Sequence, residues 1–162
     1  MRPTLEEDAQ FVLEILNMPK WKQFIGDRNV HSLEDAAAYV RNKMMPQLER
    51  LGHSNFIMIQ KSDGAKIGFC GLYDREGLEG VDVGFALLPQ YEGKGFAFEG
   101  SKKVMEAGIT DFGITRIKGI TLPENTASQN LLERLGLKYI KHFFLEGDPD
   151  ELMLYEWVKP EV

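Results

Sequence analysis

A glycine-containing loop between a strand pattern and a helix pattern carries the strongest chemical signal in the sequence. The segment 81–97 has the sequence VDVGFALLPQYEGKGFA and begins as an apolar strand. Gln90, Gly93, Gly95 and Ala97 follow it in the order Gln-x-x-Gly-x-Gly-x-Ala. Glycines at such a junction let backbone N–H groups face outward at the positive end of the helix dipole. The spacing therefore indicates a seat for a phosphate group.

Two other phosphate-binding loops do not fit this segment. A Walker A loop needs a glycine five residues before Gly93, where Leu88 stands, and a Ser or Thr after Lys94. A dinucleotide fingerprint needs Gly or Ala three residues after Gly95, where Phe98 stands. An ordinary strand-to-helix turn that requires two glycines for its backbone is the structural alternative, and the isolated glycine pair leaves it open.

The strand before the loop has two different faces. Alternation places the larger apolar residues on one face, namely Val81, Val83, Phe85 and Leu87. The other face carries Asp82, Gly84, Ala86 and Leu88. A solvated face usually carries larger polar side chains. Small residues at 84 and 86 therefore indicate that something packs closely there, either a ligand or, at Gly84, a bulge or a helix packed on the sheet.

The periodicity predicts which elements position these residues. Ser32 with Asp35 and Thr4 with Glu7 predict N-terminal helix caps. Helices are expected at 5–16, 20–24, 36–51, 96–112 and 127–135. Strands are expected at 56–59, 67–73, 81–88, 117–122, 137–145 and 152–158. This order predicts a mixed sheet in one α/β domain spanning 1–162.

Composition narrows the class of protein. The chain has 162 residues, of which 43% are hydrophobic, so a globular core is expected. Its formal charge of -6 disfavours nucleic-acid and anionic-membrane partners and is compatible with an amine partner. Cys70 is the only cysteine, which excludes an intramolecular disulfide. No apolar run approaches the length of about 20 residues needed to span a membrane, and the N-terminal segment lacks a signal-peptide core, so a cytoplasmic location is expected.

No metal site is expected from the sequence. His31, His53 and His142 have no ligand spacing with Cys70 or with one another. Surface or capping positions are expected for the histidines, and a core position for the cysteine. No nucleophile elbow of the Gly-x-Ser-x-Gly type is present, which favours direct transfer chemistry over a covalent intermediate.

The strand and glycine loop at 83–99, together with Asn125-Thr126-Ala127-Ser128 at the start of a later helix, resemble the GNAT superfamily of acyl-CoA-dependent N-acetyltransferases, in its RimJ/RimL-like branch. The resemblance extends over 2–157. It implies a GNAT fold, which is a mixed, mostly antiparallel sheet flanked by helices. Similar proteins usually begin with a full strand before the segment that matches Arg2-Pro3, so either a truncated first strand or a later start site than usual is expected here. The resemblance also implies acetyl-CoA as cosubstrate and a primary amine as acceptor, either a protein N-terminus or a small molecule, with no metal.

The resemblance also implies roles for individual residues. Backbone amides of the loop would hold the CoA pyrophosphate, and the pantetheine arm would lie along the preceding strand and against the later helix. The cofactor-binding residues implied in this way are Phe85, Ala86, Leu87, Gln90, Gly93, Lys94, Gly95, Phe96, Ala97, Asn125, Ser128 and Asn130. Trp21, Phe24, Asp27 and Arg28 fall in the segment that lines the acceptor site in similar proteins.

Two residues are the implied catalytic groups. Asp82 matches an acidic family position and is expected either to accept the amine proton, directly or through water, or only to orient the substrate or pair with an arginine. Leu132 stands where other GNAT branches have an acidic tyrosine, so Ser128 is expected to donate a hydrogen bond to the leaving thiolate. Asn125 is expected both to cap its helix and to bind the cofactor.

Two other functions stay open at this stage. One is a non-catalytic acyl-CoA-binding module, and the other is a nucleotide-binding regulatory domain. The oligomeric state is also left open by the sequence.

Overall fold

The computed structural model describes residues 1–162 and contains seven strands and six α-helices. The strands are β1 (Arg2–Pro3), β2 (Asn55–Ile59), β3 (Lys66–Asp74), β4 (Val81–Leu87), β5 (Arg116–Thr121), β6 (Lys138–Phe144) and β7 (Glu151–Val158). The helices are α1 (Ala9–Leu16), α2 (Pro19–Phe24), α3 (Leu33–Tyr39), α4 (Met45–Leu51), α5 (Phe96–Asp111) and α6 (Thr126–Arg134). Short 3₁₀ turns occur at Glu6–Asp8 and Pro89–Tyr91, and a π-helical stretch at Val40–Met44 joins α3 to α4.

All seven strands form one mixed sheet in the order β1-β2-β3-β4-β5-β7-β6. Every neighbouring pair is antiparallel except β4 and β5. The parallel pair is short, since only Val81 and Asp82 of β4 pair with β5. Beyond Asp82 the two strands are no longer paired, and a cleft opens between them. The predicted mixed, mostly antiparallel sheet is thus confirmed, and the cleft lies at its one parallel junction.

Helices cover both faces of the sheet and create two apolar cores. The first core joins α1, α3 and the π-helical stretch to one face, with Ile57 and Phe69 from the sheet at its centre. The second core joins α5 and α6 to the other face, around Cys70, Leu72 and Val83. Along β4 the large apolar side chains pack in the second core, whereas Ala86 packs against the first. The predicted alternation of this strand is confirmed.

The helix predicted at 36–51 is present but interrupted. It begins at Leu33, and its N-cap is the predicted one, since Ser32 Oγ accepts a hydrogen bond from Asp35 N at 3.0 Å. The π-helical stretch at Val40–Met44 ends two residues before Pro46. Because proline has no N–H and its ring crowds the preceding turn, the regular hydrogen-bond ladder cannot continue through it. Gly52, with φ 80°, ends α4 in the left-handed conformation that glycine favours.

The predicted cap at Thr4 is wrong. The first 3₁₀ turn begins at Glu6, and the carboxylate of Asp8 accepts a hydrogen bond from Leu5 N at 2.9 Å. Thr4 is buried instead, and its hydroxyl accepts a hydrogen bond from Asn55 Nδ2 at 2.7 Å. The capping pattern fails here because a long-range partner on β2 competes successfully for the threonine hydroxyl.

Candidate active site

The cleft between β4 and β5 is part of a cavity of about 1020 Å³ that runs from the N-terminal helices to the starts of α5 and α6. Most of the residues singled out from the sequence line it: Asp82, Phe85, Ala86, Leu87, Gly93, Gly95, Phe96, Ala97, Asn125, Ser128 and Asn130. Gln90 and Lys94 do not line it, and both are exposed. The structure thus brings the strand, the glycine loop and the later helix to one site.

The glycine loop presents free backbone donors to this cavity. Gly93 and Gly95 have φ of 73° and 85°, and no atom lies within 4 Å of a Cβ added at either position. The amide of Glu99 makes the first hydrogen bond of α5, to Gly95 O at 3.0 Å. The amides at 96–98 therefore have no acceptor within the helix. A 16-residue helix with free N–H groups at its start favours an anion at that position.

The edge of β4 offers a second set of donors. Leu88 N donates to Ile67 O on the β3 side at 2.9 Å. Since hydrogen-bonding direction alternates along an antiparallel strand, the amides of Phe85 and Leu87 point away from β3 and into the cleft. Ala86 lines the cavity, but by the same alternation its amide points to β3. Amides fixed in this way can stabilise an oxyanion that forms beside the strand.

Asp82 is held in a buried ion pair. Its carboxylate accepts hydrogen bonds from Arg75 Nε and Nη2, both at 3.1 Å. The Asp82 side chain is 2% exposed and that of Arg75 is 33% exposed. Burial raises the pKa of Asp82 above its ordinary value, although the Arg75 guanidinium opposes the shift. The carboxylate is therefore a stronger base than a solvated aspartate, and its orientation is fixed by the arginine.

The small residue at 84 is explained by an aromatic neighbour. A Cβ at Gly84 would lie 2.7 Å from Cε2 of Tyr73, so the tyrosine ring occupies the space beside the glycine. The pairing of β3 with β4 is regular at this point, which shows no bulge. The Tyr73 hydroxyl donates to Asn55 Oδ1 and thereby joins the buried Asn55–Thr4 hydrogen bond. Burial raises the pKa of Tyr73 well above its usual range, so the phenol remains protonated.

The start of α6 supplies hydroxyl and amide groups to the opposite wall. Asn125 Oδ1 accepts a hydrogen bond from Ser128 N at 3.2 Å, which confirms the predicted cap. The Ser128 hydroxyl and the Asn130 amide make no hydrogen bond within the protein, and both residues line the cavity. Leu132 is buried in the second core against Gly119, and it provides no acid at this position.

Comparison with known proteins identifies the family of this fold and cleft. Residues 1–138 match the family model of the acetyltransferase (GNAT) domain. The chain belongs to the GNAT acetyltransferase family. It is 24% identical over 168 residues to the uncharacterized N-acetyltransferase YoaA of Bacillus subtilis (strain 168), and the match covers 99% of this chain and 93% of that protein.

Solved GNAT structures share the fold. Ribosomal-protein-S5-alanine acetyltransferase from Vibrio fischeri superimposes with a TM-score of 0.81 at 17% identity, covering 99% of this chain and 92% of that one. Spermidine N-acetyltransferase from Vibrio cholerae, solved with CoA and spermine, gives a TM-score of 0.79 at 16% identity, covering 98% and 94%. The protein is therefore a GNAT enzyme, and the reaction of its family is acyl transfer from acetyl-CoA.

Several residues of this GNAT site are not identified as functional by the sequence alone. Arg75 and Tyr73 are the most important of them. Arg75 fixes the orientation of the Asp82 carboxylate, and the ring of Tyr73 occupies the space beside Gly84. The available signal is the β3–β4 hairpin, in which Tyr73 pairs with Asp82 across the strands. Of the acceptor segment, Trp21, Phe24 and Arg28 line the cavity, whereas Asp27 does not and instead accepts a hydrogen bond from Asn29 N.

The histidines and the cysteine take no part in the cleft. Cys70 is buried in the second core, as predicted, and burial raises the pKa of its thiol to about 12. His53 is buried, with Nδ1 3.1 Å from Leu72 O, so the predicted surface position is wrong for this residue. No group of three or more His, Cys, Asp and Glu side chains is arranged to hold a metal ion. No helix combines the length and apolarity needed to cross a membrane.

Proposed function

We propose that the enzyme transfers the acetyl group of acetyl-CoA to a primary amine by direct attack, as one domain spanning 1–162 and in the manner of the RimJ/RimL-like branch. The observation that supports this proposal is a single cavity that joins the free amides of the glycine loop, the free edge of β4 and the buried Asp82 carboxylate. Structural neighbours include an enzyme named for an alanine of a ribosomal protein and one named for spermidine, so a protein acceptor and a small-molecule amine are both candidates.

The cofactor would occupy the part of the cavity between β4 and α6. Backbone amides of the five residues 93–97 would bind the pyrophosphate, with exposed Lys94 adding positive charge at the rim. The pantetheine arm would lie along Phe85, Ala86 and Leu87 and meet Asn125 and Asn130 opposite. Gln90 is outside the cavity lining and is proposed only as a contact at the outer end of the cofactor.

The reaction requires a neutral amine, a stabilised oxyanion and a leaving thiolate. Asp82 would accept the proton of the incoming ammonium through a water molecule, which its raised pKa favours. The freed nitrogen would then attack the thioester carbonyl, and the amide of Phe85 or Leu87 would stabilise the oxyanion. Collapse of the tetrahedral intermediate breaks the C–S bond, and Ser128 donates a hydrogen bond to the sulfur as the thiolate departs. The second proton lost by the nitrogen passes to that thiolate or to solvent, which gives the neutral amide and CoA thiol.

Thermal melting with acetyl-CoA, CoA, ATP and NAD tests the cofactor site. A ligand at about 100 times its dissociation constant stabilises the fold by about 2.7 kcal/mol, and only the two CoA species are expected to do so. Gly93→Ala should weaken this shift, because the new methyl group would occupy the space of the phosphate. Gly64→Ala is a matched control, since Gly64 has the same φ of 73° and open surroundings but does not line the cavity. Stabilisation by ATP or NAD without CoA would contradict the proposal.

Turnover of amines, followed by release of the CoA thiol, tests the catalytic groups. Asp82→Asn should lower kcat/KM by about 10² or more at neutral pH and remove one limb of the pH profile. Ser128→Ala should lower kcat by about tenfold, because one neutral hydrogen bond to the leaving sulfur is lost. CoA binding that persists in both variants while turnover is unchanged would refute these roles and favour other catalytic groups.

A further inference from the structure

The part of the cavity next to α2, α3 and the π-helical stretch has more positive than negative charge available to a ligand. The three carboxylates that line this part are each paired with a cation, whereas Glu124, in the loop before α6, lines another part of the cavity and has no ion pair. The pairs are Arg50–Asp74 at 2.6 Å, Arg75–Asp82 at 3.1 Å and Lys20–Glu92 at 2.6 Å. A cationic acceptor would therefore find no free carboxylate in this wall.

Two cationic side chains in this part of the cavity, which we call the acceptor wall, have no partner within the protein. Arg28 and Lys43 line the cavity, and neither takes part in an ion pair or in a side-chain hydrogen bond. Lys43 lies one turn before Gln47, whose amide accepts a hydrogen bond from Asp74 N at 2.9 Å. This contact places that face of the helix against the end of β3, where Arg75 begins the next loop. Nη1 of Arg75 also makes no hydrogen bond within the protein, so a third donor is free.

The local excess of positive charge is opposite to that of the whole chain, which carries a formal charge of -6. The nearby loop between β3 and β4 contains Glu76 and Glu79, but both are exposed and neither lines the cavity. Arg28 and Lys43 are exposed at the edge of the cavity, and unpaired cations at this position in an acidic protein disfavour a ligand that brings a further positive charge. They favour a ligand group with negative charge, since charge-assisted hydrogen bonds are stronger than neutral ones.

We propose that the amine acceptor carries a carboxylate or similar anionic group, which binds Lys43, Arg28 and the free Nη1 of Arg75. The inference rests on the proposed amine acetyl transfer and specifies its substrate class. Positive charge near the acceptor also lowers the pKa of an ammonium group, which increases the fraction of neutral amine that can attack the thioester. An amino-acid-like small molecule and a peptide whose N-terminus is followed by an acidic residue both have this chemistry.

Matched acceptors separate this proposal from simple amine acetylation. The panel contains phenylalanine with phenylalaninamide, the peptide amides Ala-Asp-Phe and Ala-Asn-Phe, and spermidine, each assayed by thiol release from acetyl-CoA. The anionic member of a pair should show kcat/KM at least about tenfold higher, the factor expected from one charge-assisted contact at a half-exposed site. A preference only within the amino-acid pair identifies a small-molecule acceptor, and one only within the peptide pair identifies an acidic N-terminus.

Variants test whether the proposed wall causes the preference. Lys43→Gln should remove most of the anionic preference, and Lys43→Arg should retain it. Lys22→Gln is the control, because Lys22 is an exposed, unpaired lysine of the neighbouring α2 that does not line the cavity. A preference that survives in the double variant Lys43→Gln with Arg28→Gln would overturn the assignment of the wall.

The outcomes distinguish this inference from the proposed function. Absence of any thermal shift with CoA would remove the acetyltransferase proposal, and the acceptor inference would fall with it. A CoA shift together with equal rates within each pair, with preference for spermidine, or with no turnover of any anionic acceptor would overturn only the acceptor inference.

Discussion

Replacing Arg75 by methionine should destabilise the protein, because the buried Asp82 carboxylate would lose its only cationic partner. The arginine makes two hydrogen bonds of 3.1 Å to a side chain that is 2% exposed. Removing one partner of a buried pair usually costs about 3–5 kcal/mol, because the other charge is left without compensation. Arg75 is itself one-third exposed, so part of its contribution is screened by solvent. We expect Arg75→Met to lower the free energy of unfolding by about 3 kcal/mol at pH 7.5.

The loss of stability in Arg75→Met should depend on pH. The folded state already raises the pKa of Asp82 through burial, and Arg75 opposes that shift. Without the arginine, the pKa of Asp82 should rise further. Protonation then removes the unpaired charge, so the stability difference between wild type and Arg75→Met should be largest above the folded pKa of Asp82 in the variant. It should shrink as the pH falls below that pKa.

Urea unfolding at pH 7.5 and pH 4.5 measures both effects, and a double-mutant cycle with Asp82→Asn isolates the pair. Asp82→Asn should cost less than Arg75→Met, because the arginine that remains can reach water. A coupling of about 2 kcal/mol is expected for this charged contact. Equal losses for Arg75→Met at both pH values, or a coupling near zero, would refute the reasoning that burial of the carboxylate dominates this site.

Two further predictions concern stability. Asp8 is buried beneath two cations, and although burial alone would raise its pKa, their hydrogen bonds hold that pKa far below its usual range. Asp8→Asn should cost about 2–3 kcal/mol at pH 7 in urea unfolding. The gap to wild type should begin to narrow below about pH 4, where the unfolded state binds a proton that the folded carboxylate still excludes, and it should keep narrowing as the pH falls toward the lowered folded pKa. Gly84→Ala should cost about 1–3 kcal/mol by overpacking against Tyr73, which Tyr73→Leu in the same chain should relieve. A gap for Asp8→Asn of the same size at pH 7 and pH 3, or an alanine at 84 that melts like wild type, would contradict these accounts.

The sequence predicts most of the fold because its periodic patterns are local. The segment 96–112 carries its helix signal within itself, and the observed α5 is Phe96–Asp111. The β4 alternation likewise assigns its faces without knowledge of any partner. Predictions fail where a distant group intervenes, as when Asn55 takes the hydroxyl of Thr4 from its expected cap.

Some features of the candidate site could likewise be predicted from local sequence, and others could not. Glycines at 93 and 95 and the cap at Asn125 are local features, and the structure places all three residues on the cavity wall. The ion pair of Asp82 with Arg75 depends on the geometry of a hairpin, and no spacing rule predicts which loop residue will turn back to the strand. The net charge of the acceptor wall depends on which of its cations form ion pairs, and those pairs are set by the tertiary structure.

The short parallel junction connects fold to chemistry. Because β4 and β5 pair only at Val81 and Asp82, the amides of Phe85 and Leu87 have no strand partner and face the cleft. Unpaired strand amides normally invite another strand. Here the glycine loop and α6 close the two sides of the gap, so a narrow ligand that accepts hydrogen bonds fits better than a strand. The last paired residue, Asp82, stands at the apex of the opening. The same break in pairing thus leaves the donors free for the proposed thioester and places a carboxylate next to them.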